Sequence, residues 1–326
     1  MSSFSPFPLH RLPFLALKEV MKNIGLRELF PLSLCSNKMH CVAKNFRDKS
    51  IEPTLTLQEH FGIYICIRCK TDRLTLTVNS LPGDFSKEWK TNRIGEEIAR
   101  IQQHKTSFRT YWKDEVHGTK ALLKYTTDLF GIKVEMLDLD GARVGIIGFV
   151  EKLQGPGSYR LKIRNATDIQ LKHILVELNP KSLTIYKTSS DMYRINNFNK
   201  KYDELKLLKG DWITVNNLCA LDCIKLKMIN TRFLEWEINQ YFKHVMAGGA
   251  PRLKVFKCQI FSAYSNTILA GIREFLTAIP GREQFTRDNQ GNWEFNGRLE
   301  RGEGSALVHI NYFSCFRGIR LSVSKM

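Results

Sequence analysis

The chain has 326 residues, enough for two or three domains, and its 43% hydrophobic and 25% charged content excludes wholesale disorder. Its net charge of +17 raises nucleic-acid binding, but the excess is spread, +5 over 1–50, +2 over 51–130, +5 over 131–249 and +5 over 250–326, with acids interleaved and no basic run, which argues against it. No apolar run approaches the roughly eighteen residues of a membrane span, and His10, Arg11, Lys18 and Glu19 interrupt any signal-like core, so the expectation is an intracellular, soluble protein, cytoplasmic or nuclear, with no membrane partner.

Residues 7–46 carry more apolar side chains than a segment of that length buries alone. Leu12-Pro13 starts a first helix, where the missing proline N–H is no loss. Leu15, Ala16, Leu17, Val20, Met21 and Ile24 cover more than one face of it, and Gly25 ends it. A second helix is expected near Arg27–Ser36, perturbed by Pro31, and a third near Asn37–Phe46 with Asn37 as its cap.

The segment 7–50 resembles an F-box, the helical module by which substrate receptors dock onto the Skp adaptor of cullin-based ubiquitin ligases. Leu12-Pro13 falls on the family's Leu-Pro, Val20 and Ile24 on its first-helix anchors, and Glu28-Leu29 on its Asp-Leu. Leu32, Leu34, Cys35 and Val42 fall on the later apolar positions, whereas Met39 replaces the usual tryptophan. The resemblance implies adaptor docking, and through the adaptor a cullin, by Leu12, Pro13, Val20, Ile24, Leu29, Leu32, Leu34, Cys35 and Val42.

Residues 51–130 read as an α/β connecting region. Ile63–Cys69 and Arg73–Val78 alternate as strands about a Lys70–Asp72 turn, and helices are expected over Ile94–Gln103 and Ala121–Phe130. The eight cysteines are scattered, and Cys66 and Cys69 point to opposite faces of a strand, which favours buried thiols over zinc.

Beyond residue 130 a Leu/Ile-x-Leu/Ile/Val triplet recurs. It stands at Leu137-Asp138-Leu139, Leu161-Lys162-Ile163, Leu183-Thr184-Ile185, Leu205-Lys206-Leu207, Ile224-Lys225-Leu226 and Leu253-Lys254-Val255. Helical runs over Val144–Leu153, Asp168–Leu178, Val215–Ala220 and Phe233–Ala247 separate the triplets. One strand and one helix every twenty-odd residues predict a leucine-rich-repeat-like arc over 131–265, with an open α/β sheet as the alternative. Within it Asn239, Lys243, Gly248, Pro251 and Leu253 resemble the type 2 F-box-associated domain found beside nematode F-boxes, with Val245 where tryptophan is usual; that resemblance spans 180–262. The remainder, 266–326, is expected as a helix and a β-meander through Trp293–Phe295, Ala306–Ile310 and Gly318–Val323.

The fold class expected is thus mixed α+β and α/β: a three-helix F-box, an irregular strand–helix arc and a terminal β-meander. No catalytic constellation accompanies it. Gly155-Pro156-Gly157 lacks the third glycine of a dinucleotide loop, Gly302–Ser305 has the wrong spacing for a nucleophile elbow, and no His-x-x-x-His pair occurs. The expectation is a non-enzymatic receptor with no cofactor and no metal. If the triplet leucines point inward, strand alternation exposes Arg160, Lys162, Tyr186, Lys206, Lys225, Lys227, Arg252, Lys254 and Phe256. That face would bind an unidentified protein substrate through an acidic or phosphorylated segment. A repeat scaffold outside any ligase and a nucleic-acid module are the rival readings.

Overall fold

The computed structural model describes residues 9–81, 91–104, 107–186, 199–260, 264–301, 304–314 and 317–325. The chain forms two compact units, Met1–Leu139 with Arg143–Tyr159, and Asp140–Ala142 with Arg160–Met326. Among the described residues no helix is long and apolar enough to cross a membrane.

The first unit opens with α1 (Phe14–Lys22), α2 (Leu26–Ser33) and α3 (Asn37–Phe46). Pro13 precedes α1, and Pro31 lies inside α2. The cap of α3 is Ser36, not Asn37: the Ser36 hydroxyl accepts from the Met39 N–H. Six strands follow: β1 (Thr54–Glu59), β2 (Ile63–Arg68), β3 (Arg73–Ser80), β4 (Thr91–Ile94), β5 (Glu97–His104) and β6 (Ser107–Trp112). Then come α4 (Glu115–Phe130), β7 (Val134–Asp140) and α5 (Gly145–Gln154). The strand order is β7-β1-β2-β3-β6-β5-β4, with β1/β7 and β3/β6 parallel and the other pairs antiparallel.

The helix expected over Ile94–Gln103 is instead the β4–β5 hairpin. Ile94, Ile98 and Ile101 have helical spacing, but Gly95 at φ +63° starts a two-residue turn that pairs Ile94 with Glu97. α4 packs on β3 and β6, and a Cβ at Gly118 would run into the Trp112 ring, so glycine is required in the first turn of the helix. Its N-terminus is capped by the Asp114 carboxylate on the Val116 N–H.

The three opening helices are built into this unit rather than tethered to it. Phe30 is wholly buried, 5.3 Å from the Phe108 ring and 6.1 Å from that of Tyr125, both edge-on. Asp72, in the β2–β3 turn, accepts from the Leu26 N–H at 2.7 Å and pairs with Arg27 at 3.1 Å, capping α2 from outside the helix.

The second unit contains β8 (Arg160–Arg164), α6 (Asp168–Val176), β9 (Ser182–Ile185), β10 (Lys201–Leu207), α7 (Val215–Ala220), β11 (Asp222–Met228), α8 (Glu235–Met246), β12 (Val255–Gln259) and α9 (Ser265–Ile268). β13 (Phe285–Arg287), β14 (Trp293–Arg301), β15 (Gly304–Phe313) and β16 (Gly318–Lys325) complete it. Strands β8 to β12 lie side by side in chain order, all parallel. β12 then pairs antiparallel with β16, and the meander runs back through β15 and β14 to β13. Thr167 with Gln170, and Thr214 with Asn217, form capping boxes that start α6 and α7.

Register in the parallel row aligns Leu161, Leu183, Leu205, Leu226 and Phe256, and one pleat further Ile163, Ile185, Leu207, Met228 and Cys258. All ten are buried. The helices cover this side: Tyr241 and Phe242 of α8 have their rings 5.0 and 5.7 Å from that of Phe256. The last two triplets are therefore misphased in the sequence reading. Ile224 is half-buried while Cys223 pairs with Tyr202, and Leu253-Lys254 precedes β12, whose inward residues are Phe256 and Cys258.

Truncating Phe30→Ala should lower the unfolding free energy by about 3–5 kcal/mol, measured by urea denaturation. A loss under about 1 kcal/mol would show that the opening helices do not depend on this contact.

Candidate docking surfaces

The first surface is on α1. Leu17 and Met21 turn inward, while Phe14 is 63% exposed, Leu15 72% and Val20 38%. Pro13 is exposed beside them, and Phe14 meets Phe46 of α3 edge-on at 5.0 Å. Helix spacing puts Ala16 and Val20 along one stripe, and Ile24 follows just beyond the end of α1. A short helix this greasy on its outer side is the expected form of a contact for another protein.

Of the docking residues expected from sequence, Pro13, Val20 and Cys35 are exposed, and Leu12, Ile24, Leu32, Leu34 and Val42 are half-buried. Leu29 is corrected: at 2% exposure it belongs to the interior of the unit and has no surface to offer. Leu34 and Cys35 border a cleft of about 750 Å³ against α4, apart from the α1 surface. Phe14 and Leu15 are not among the docking positions that the resemblance implies; the signal for them is that the apolar residues of α1 cover more than one face.

The posture of α1–α3 is fixed by polar contacts on α4. Asp128 accepts from Lys44 at 2.6 Å and pairs with His40 at 2.9 Å, and Ser33 shares a 2.8 Å hydrogen bond with the Tyr125 hydroxyl. The Arg47 guanidinium donates to the Leu129 carbonyl at 3.1 Å. Burial pushes the Tyr125 hydroxyl up to about 12, so it stays protonated throughout the physiological range. Partial burial pulls the Asp128 carboxyl upward, but its hydrogen bonds from Lys44 and His40 outweigh that and hold it below the ordinary value.

The second surface is the face of β8–β12 opposite the helices. In register across it stand Lys162, Thr184, Lys206, Lys227, Lys257 and, on β16, Arg320. One pleat back stand Arg160, Ser182, Glu204, Lys225 and Val255. The expected residues Arg160, Lys162, Lys206, Lys225, Lys227 and Lys254 are thus exposed or half-buried outside the core. Tyr186 is half-buried, its ring 5.7 Å from the Arg164 guanidinium.

Two expectations are corrected. Phe256 is wholly buried under α8, because β12 runs in the opposite phase to the triplet, with Phe256 and Cys258 inward and Val255 outward. Arg252 is held by Asp203 at 2.6 Å and Asp222 at 3.6 Å, so its charge is already matched. Lys257 and Arg320 take their places on the face; the first needed the true phase of β12, the second a strand some sixty residues onward. Cys66 is buried in β2, Cys69 lies beyond its end, and among the described residues no three His, Cys, Asp or Glu side chains cluster as a metal site.

Residues 9–50 match the F-box domain family, and residues 195–258 match the F-box associated family. The chain carries an F-box and an F-box-associated domain. The F-box comprises α1–α3, and the F-box-associated match runs through β10, α7, β11 and α8 to Cys258 in β12. Inside it Asn239 of α8 is buried and donates to the Ile268 and Ala270 carbonyls at 2.8 Å each, fixing α8 to the segment that follows β12. Gly248, at φ +97°, provides the left-handed turn after α8. Over 295 residues the chain is 21% identical to the Skn-1 dependent zygotic transcript 15 protein of Caenorhabditis elegans, covering 83% of this chain and 85% of that protein. No solved structure matches.

A folded-state carboxyl held below its ordinary value stabilises above that value and ceases to do so as pH falls through the lowered one. The difference in unfolding midpoint between wild type and Asp128→Asn should therefore be constant above the reference value of 3.8 and shrink on further acidification. Equal acid sensitivity of the two proteins would remove Asp128 from the attachment of the F-box.

Proposed function

We propose that this chain is the substrate-recognition subunit of a Skp–cullin–F-box ubiquitin ligase. Its F-box docks a Skp-type adaptor, and through it a cullin, while the strand face of the second unit holds the substrate protein. An F-box is in general an adaptor-binding module. The observation that carries the reading is that, in a helical module otherwise packed into its unit, Phe14, Leu15 and Val20 of α1 remain exposed. Pro13 and the half-buried Leu12 and Ile24 extend that surface.

The domains are an F-box at 7–50, a connecting region at 51–130, a leucine-rich-repeat-like region at 131–265 and a terminal region at 266–326. Five parallel strands in chain order, with crossover helices on their buried side, support the repeat-like reading. The receptor is non-catalytic and works by proximity, holding a substrate lysine near a charged ubiquitin carrier and raising its effective concentration. Such a ligase operates inside the cell, in cytoplasm or nucleus.

The test is adaptor binding by the purified full chain. Each exposed aliphatic buried on docking contributes about 1.5–3 kcal/mol, so Leu15→Asp/Val20→Asp should weaken binding by roughly a hundredfold or more. The variant should keep its thermal unfolding midpoint, because both side chains face solvent. Wild-type chain that fails to bind a Skp-type adaptor would overturn the proposal.

A further inference from the structure

The row Lys162, Thr184, Lys206, Lys227, Lys257 and Arg320 crosses six adjacent strands at one register position. Neighbouring strands are about 4.8 Å apart, so the side chains of Lys206, Lys227, Lys257 and Arg320 rise from a line of four consecutive like charges. Like charges directly opposite one another are destabilising in a sheet. A nearby cation of the same unit is neutralised within the fold: Arg252 is paired with Asp203 and Asp222. Among the described residues, Lys162, Lys206, Lys227 and Lys257 make no ion pair. On the adjacent pleat Lys225 stands directly opposite Glu204. Past Arg320 the row continues to Asn311 and then Glu294, where the positive charge stops.

We infer that this row is the seat of an extended, Asp/Glu-rich segment of the substrate protein, lying across the strands rather than along them. The inference rests on the substrate-receptor reading above and names the chemistry of what that receptor holds. From Lys162 to Arg320 there are five strand steps, about 24 Å, which an extended peptide spans in about seven residues. Alternate side chains of such a peptide point to one side at roughly 6.6 Å intervals, and lysine stems are long and flexible enough to meet carboxylates at that spacing.

The composition of the row selects carboxylates. Phosphate is typically clamped by clustered arginines in bidentate geometry, whereas here five positions from β8 to β12 offer four lysines, a threonine and no arginine. Single-stranded nucleic acid binds on stacking platforms of exposed aromatic rings, and the row contains no ring. A line one cation wide also suits one extended chain better than a duplex with two phosphate backbones.

The experiment uses the full chain and a fluorescent Asp/Glu-rich peptide of about twelve residues, long enough to span the row, with binding read by anisotropy. A neutral peptide bearing phosphoserines and a single-stranded oligonucleotide of similar length are run beside it. Lys206→Glu/Lys227→Glu/Lys257→Glu is compared with Lys70→Glu/Lys113→Glu/Lys133→Glu, which makes the same charge change at exposed positions of the first unit. The acidic peptide should bind best, and the row variant should weaken it by at least about tenfold, as expected for the loss of three exposed ion pairs, while the control variant stays close to wild type. Equal loss in both variants would reduce the effect to net charge and overturn the inference. Tighter binding of the phosphopeptide or the oligonucleotide, or no acidic-peptide binding at all, would also overturn it. Adaptor binding is measured on the same samples: failure of peptide binding with adaptor binding intact removes the inference alone, whereas failure of adaptor binding removes the ligase reading.

Discussion

In-register stacking of β8 to β12 is the constraint on which the second unit depends. These strands are four to seven residues long, and each buries one face only. None holds a core alone, so Leu161, Leu183, Leu205, Leu226 and Phe256 must align to form a continuous apolar layer beneath the helices. Because side chains alternate strictly along a strand, aligning the buried residues also aligns the outward ones. A line of lysines without an ion pair among the described residues is the consequence, maintained against its own repulsion by burial worth roughly 1.5–3 kcal/mol for each aliphatic or aromatic side chain beneath it.

The first unit solves a different problem. Three helices too short and too apolar to stand alone are completed by a sheet and one long helix, α4. Phe30 supplies the buried contact, and Asp72, Asp128 and Tyr125 supply directional ones that fix the helices in one posture. That division leaves the outer side of α1 apolar and open. A receptor that positions a substrate by proximity needs its docking module held rigidly, and embedding it in a folded unit provides this more directly than a tether would.

Much of this was legible in the sequence, where local pattern and tertiary register agree. The Leu-Pro start, an α1 apolar on more than one face, the Lys70–Asp72 turn and the triplets at Leu161, Leu183 and Leu205 all lie where spacing puts them. Reading failed where two patterns competed. Ile94, Ile98 and Ile101 have helical spacing, but a glycine turn and pairing with β6 override it. At Ile224 and at Val255, apolar residues stand one place from the inward Cys223 and Phe256, and only pairing with the neighbouring strand settles the phase. The loss of Phe256 from the face, and the gain of Lys257, follow from that shift. Arg320 was out of reach of any local pattern, because an antiparallel return of the chain brings it beside β12. Leu29 was misplaced because a family's contact positions carry no information about what a particular fold packs against them.

The central claim is that one chain offers two separate docking surfaces, the outer side of α1 for a Skp-type adaptor and the lysine row for a substrate. Amide hydrogen exchange on the full chain, with and without saturating adaptor, tests it most directly. The account predicts slowed exchange confined to the F-box helices, with amides of β8 to β12 unchanged. No protection of α1, or protection centred on the strands of the lysine row, would contradict it.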